Sequence, residues 1–143
     1  MTIKETEDKI ISEFLNFEEW MDKYQYLVEM GKSLPLIEPM YRTDNYLITG
    51  CQSQVWLHAE YHNGLINFTA DSDAIITKGI VYLLIRVLSG HTSDEILETK
   101  LEFIDRIGLK EHLSPTRSNG LVSMVKQMKL YALAFKTKNQ SNI

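Results

Sequence analysis

Apolar residues recur along this chain at helical spacing in some stretches and at strand spacing in others. Ile10, Ile11, Phe14 and Leu15 repeat at helical intervals behind Thr2 and Thr6, either of which can start a helix, and Asn16 interrupts it. Phe17, Trp20, Met21, Tyr24, Leu27, Val28 and Met30 form a second helical stripe, which we read as core. Gly31 is its natural C-cap, and Pro35 forbids easy continuation. Residues 35–44 hold two prolines without a period and read as loop. The alternation then changes to period two. Tyr46-Leu47-Ile48-Thr49 predicts a short strand, residues 54–62 a second and residues 65–70 a third.

Asn63-Gly64 lies between the last two strands, and a type I′ turn with positive φ at both positions suits that pair. A two-residue loop fixes the register. Tyr61 then faces Ile66, Ala59 faces Phe68 and Leu57 faces Ala70, all on one apolar face. His62–Leu65, Glu60–Asn67, His58–Thr69 and Trp56–Asp71 form a mainly polar opposite face. Slipping by one residue would mix the two faces.

Asp71-Ser72-Asp73 offers an N-cap to a helix over 74–89, apolar on most sides and so expected to lie across the buried sheet face. Gly90 ends it. Thr92 and Glu95 have capping-box spacing for a short helix to about Glu98. Short helical turns follow at 103–108 and 109–113, and Ser114-Pro115 suits N-cap and N1 of a last helix. That helix carries Leu121, Met124, Val125, Met128, Ala132 and Phe135 on one stripe, with residues 139–143 expected to fray. The whole pattern predicts an α+β fold: one domain over 1–143, with a small antiparallel three-stranded sheet packed on one face by helices.

Composition narrows the function classes. A formal charge of −4 argues against a nucleic-acid binder, which needs a basic face. A single cysteine permits no internal disulfide and suits a reducing cytoplasm. The acidic start of the chain lacks the apolar run of a secretory signal, and the most apolar run, 79–88, falls short of a membrane span.

Candidate chemistry converges on Gly50-Cys51-Gln52-Ser53-Gln54-Val55-Trp56. Its small and polar flanks place the one cysteine on a loop between two strands. A thiolate is a strong nucleophile, although lone cysteines more often act as small buried hydrophobes. The start of the 74–89 helix is expected near the thiol, where its partial positive charge would favour the thiolate and Asp71 and Asp73 would oppose it. The histidines assemble no Cys–His pair. His58 and His62, roughly 13 Å apart on one strand, read as solvated surface residues, and His91 and His112 as local ones. No zinc pattern, HExxH, P-loop or nucleotide fingerprint is present. The chain carries one nucleophilic sulfur and little else, which suits a sulfur carrier better than a self-sufficient enzyme. A stand-alone thiol sulfurtransferase and a partner-binding regulatory module with an inert cysteine are the alternatives.

The 50–56 loop resembles the sulfur-acceptor loop of the SufE family, which includes CsdE. The resemblance continues through Trp20-Met21-Asp22-Lys23-Tyr24, Leu34-Pro35, Asp71-Ser72-Asp73-Ala74 with Lys78-Gly79, and residues 112–121 (HLSPTRSNGL). It implies a fold of the SufE/NifU (IscU-like) type. It also implies that Cys51 accepts a persulfide from a SufS-like, pyridoxal-phosphate-dependent cysteine desulfurase, enhances that enzyme, and passes sulfur to a SufBCD-like scaffold. The chain itself would bind no cofactor and no metal, and would not be an enzyme in its own right. Gln52, Gln54 and Trp56 would shape the loop. Arg117 would stabilise the persulfide anion or contact the partner, or else form a structural ion pair. Asp71 and Asp73 are weaker candidates.

Overall fold

In the computed structural model, which describes residues 1–141, helices α1 (Ile3–Phe14) and α2 (Trp20–Gly31) open the chain. Thr2 caps α1 through a reciprocal capping box with Glu5. The second helix starts later than its stripe predicts: Phe17 stays in the connection, its ring 5.1 Å from Tyr26. Strands β1 (Val55–His62) and β2 (Leu65–Ser72) form an antiparallel hairpin in the predicted register, from His62–Leu65 to Trp56–Asp71. Asn63 and Gly64 both hold positive φ, at 53° and 82°, as a type I′ turn requires.

The sheet has two strands among the described residues, against the three predicted. Asp44–Tyr46 coils into a 3-10 turn, and only Leu47 pairs across, opposite Trp56. Ile48 adds one backbone hydrogen bond to Val55, and Gly50 at φ 90° then turns the chain away. The three residues between the two turns, Leu47 to Thr49, are too few to extend a ladder.

Helix α3 (Ile75–Leu88) is the central element, packing against α2, β2, α1 and the last helix, α7 (Pro115–Ser141). Ile80, Leu83, Leu84, Val87 and Leu88 are all essentially inaccessible to solvent. Two glycines set its distance from α2. A Cβ on Gly31 would lie 2.9 Å from Gly79 N, and one on Gly79 would run into the Leu27 carbonyl. Gly31 therefore serves close helix approach within α2, and Lys32, in right-handed geometry, is the C-cap.

Three short helices follow: α4 (Ser93–Glu98), with the predicted Thr92–Glu95 capping box, α5 (Phe103–Arg106) and α6 (Leu109–His112). Helix α7 (Pro115–Ser141) closes the chain, with Arg117 N–H donating to Ser114 Oγ at its start. Fraying was expected at 139–143. The helix is assigned to Ser141, and residues 142 and 143 lie outside the described residues. Along α7, Leu121, Met124, Met128 and Ala132 enter the core, and Tyr131 donates its hydroxyl to the Leu57 carbonyl of β1.

The outer sheet face is covered rather than open. Tyr41 stacks on His58 at 3.6 Å, and Arg42 lies 4.5 Å over the Trp56 ring. His58 is thus a packed residue, not the solvated one expected. His112 likewise reaches beyond its neighbourhood and stacks on Trp20 at 4.0 Å. The α2 stripe is only partly core, since Met21 remains 69% exposed. No helix among the described residues is long and apolar enough to cross a membrane.

Candidate functional site: the Cys51 loop on helix α7

Two clasps hold the ends of the cysteine loop. On the β1 side, Gln54 N–H donates to Asp73 Oδ1 at 3.1 Å, and Ser72 Oγ donates to the Gln54 carbonyl at 2.8 Å. Ser72 Oγ also accepts from Ala74 N–H. The predicted Asp71-Ser72-Asp73 cap is therefore redistributed. Ser72 closes the last rung of β2, and Ala74 occupies the N-cap of α3 without a side-chain cap of its own. On the other side, Gly50 turns with positive φ against α7, where a Cβ would run into Ser123 Oγ.

Between the clasps, Cys51 is half-buried. Its thiol faces the Gly120 carbonyl, donating across 3.6 Å. Burial pushes the thiol pKa up, and a carbonyl aimed at sulfur also favours S–H over thiolate. Between the helix start expected to favour the thiolate and the aspartates expected to oppose it, the direction in this resting geometry is upward, set by burial.

A cavity of about 70 Å³ opens at the sulfur, lined by Cys51, Gln52, Ser53, Thr77, Ile80, Thr116, Arg117, Gly120 and Met124. The predicted residues Cys51, Gln52 and Arg117 meet here. Arg117 makes no ion pair among the described residues. Gln54 acts through its main chain at the clasp, and Trp56 is buried at the loop base under Arg42. Asp71 lies away from the sulfur, paired with Lys78 at 3.2 Å and Arg42 at 3.6 Å, whereas Asp73 holds the loop. No histidine lines this cavity. Among the described residues no cluster of His, Cys, Asp or Glu is arranged to hold a metal ion.

Thr77, Ile80, Gly120 and Met124 were not assigned from sequence. The available signal was Gly120, a glycine inside a helical stripe, where helices rarely favour one.

The SufE family profile, described as "Fe-S metabolism associated domain", matches residues 8–132. The chain belongs to the SufE family. Its relatives include an uncharacterized SufE-like protein of Rhizobium meliloti (strain 1021). That protein is 41% identical over 129 residues, covering 85% of this chain and 91% of the relative. A second, of Rhizobium etli, is 40% identical over 127 residues, covering 85% and 86%. The chain is also 36% identical over 135 residues to SufE-like protein 1, chloroplastic/mitochondrial, of Arabidopsis thaliana; the match covers 94% of this chain and 36% of that longer protein. The SufE architecture is shared in outline with the solution structure of a hypothetical protein from Thermus thermophilus. The two superpose with a TM-score of 0.76 at 21% identity, over 92% of this chain and 96% of the other.

Proposed function

We propose that this SufE-family chain is a sulfur carrier that accepts a persulfide on Cys51. The donor is a SufS-like cysteine desulfurase holding pyridoxal phosphate, and the recipient is a SufBCD-like iron–sulfur scaffold. The observation that carries this reading is a lone thiol clasped over a small cavity that Arg117 also lines.

The step is a thiol–persulfide exchange. The Cys51 thiolate attacks the outer sulfur of the donor's persulfide; a new S–S bond forms at Cys51, and the donor's S–S bond breaks. The donor cysteine departs as thiolate and takes up the proton released by Cys51, so no oxidant or reductant is consumed. At rest the raised pKa and the Gly120 carbonyl keep the sulfur protonated and slow to react with stray oxidants. Docking must therefore draw the loop outward to generate the thiolate. Arg117 lines the cavity, and in this reading its positive charge favours the persulfide anion once formed. Removing the donor's product in this way enhances its turnover without making this chain an enzyme. We place the carrier in the cytoplasm, where a single reduced cysteine is stable.

Half-burial and a raised thiol pKa are also what an inert cysteine shows, and this keeps the regulatory-module reading in play. Intact-mass measurement after incubation with the desulfurase and L-cysteine, without reductant, separates the two. We expect one added sulfur on the wild type and none on Cys51→Ser, which also loses the stimulation of alanine release. Full stimulation by Cys51→Ser would support the regulator instead.

A further inference from the structure

We infer that Gly120 is the residue that makes room for the outer sulfur, holding the persulfide tucked against α7 instead of at the loop surface. This rests on the carrier reading and names the position that sets persulfide protection.

Gly120 is buried well inside α7, where alanine is the more stable choice for the helix. Packing of the reduced protein does not demand glycine. An added Cβ would meet Cys51 Sγ at 3.6 Å, Cα at 3.8 Å and Cβ at 3.9 Å, all ordinary contacts, with nothing nearer. Each of the three nearest atoms to that vacant position belongs to Cys51.

A persulfide adds a second sulfur about 2.05 Å beyond the first. That atom has two directions open to it: outward to solvent, or inward to the cavity walled by Thr77, Ile80 and Met124. Gly120 lines that same cavity, so a methyl group there, in contact with Sγ, would compete with the outer sulfur for the space. Gly120→Ala therefore tolerates the thiol and rejects the tucked persulfide. It acts on the outer sulfur through the space beside it, as a positioning residue.

The test compares wild type and Gly120→Ala in the full chain. Both are loaded in parallel by desulfurase with L-cysteine and by sodium polysulfide, then exposed to cyanide. Cyanide removes the outer sulfur as thiocyanate and returns Cys51 to the thiol, so released thiocyanate reports accessibility. Alkylation of the unloaded thiol by iodoacetamide is measured alongside. We expect Gly120→Ala to melt at or above the wild-type temperature, to be alkylated within about twofold of wild type, and to lose its persulfide sulfur to cyanide at least fivefold faster. Equal cyanolysis rates would overturn the inference while leaving sulfur acceptance intact. Equal acceleration of alkylation and cyanolysis would also overturn it, because that marks a loosened loop. So would a lowered melting temperature, since the distances say the methyl fits. If the desulfurase loads neither chain, the carrier reading fails, and the polysulfide-loaded pair still decides the role of Gly120.

Discussion

At Cys51 burial raises the thiol pKa, and the group in contact with the sulfur, the Gly120 carbonyl, favours S–H as well. Alkylation of Cys51 followed against pH should accordingly show a midpoint above that of a free cysteine, about 8.5; a midpoint below it would contradict the resting geometry. Arg117 is the complementary case. Being exposed and without an ion pair among the described residues, it contributes little to folding, so Arg117→Ala should change stability by no more than about 0.5 kcal/mol. Sulfur uptake from the desulfurase should nevertheless fall, and unchanged uptake would remove Arg117 from the site. The cysteine loop was legible in the sequence as a motif, but the partners of its sulfur were not. Gly120 and Thr77 lie 69 and 26 residues away, and no local period ties them to position 51.

At the level of elements, helix α3 is held from two sides by different forces. Against α2 the contact is backbone on backbone at Gly31 and Gly79, so Gly79→Ala should cost about 2–3 kcal/mol by forcing the helices apart, readable in urea unfolding. Against α1 the contact is charged: Arg86 of α3 pairs with Glu13, which also accepts from the Tyr26 hydroxyl. The Arg86 hydrogen bond is the main influence holding the Glu13 carboxyl below its ordinary range, while burial and the same cluster push Tyr26 up to about 12. A lowered carboxylate pKa gives stability that is complete above the unfolded value of about 4.3 and disappears as pH falls through the folded value. Glu13→Gln should thus lose about 1–3 kcal/mol at neutral pH, and the gap to wild type should close in acid below the folded pKa of Glu13. A gap independent of pH would point to packing rather than charge.

Across the whole molecule, stability and reactivity are kept apart. Core residues such as Leu57, Phe68, Leu83 and Leu84 on the hairpin and α3 are sealed from solvent. The backbone N–H groups of residues 50–53, by contrast, have no hydrogen-bond partner among the described residues. Hydrogen exchange should show both extremes. Amides of α3 and the cross-strand-bonded amides of the hairpin should exchange only through global opening, and those of 50–53 at the earliest time points. Protection of the loop comparable to that of α3 would mean that it cannot move outward to meet a partner. Helix α7, roughly 40 Å long at 1.5 Å per residue, connects these two regimes. Its first turns frame the cysteine, its middle fills the core, and Lys129 and Lys136 fasten it to the α4 region.

The sequence by itself determined the hairpin register, the Thr92–Glu95 capping box and the central apolar helix, and it singled out Cys51 as the candidate nucleophile. Each of these is encoded within a few residues, by side-chain period, turn chemistry or hydrogen bonds that close within one turn. Only the tertiary structure decided that the third strand shrinks to one bridge, that Gly31 and Gly79 set a helix distance, and that the cysteine is quieted by a carbonyl. Those outcomes depend on which distant surfaces approach within about 4 Å. Such an approach leaves little mark on a single sequence beyond a glycine where a helix would have preferred alanine.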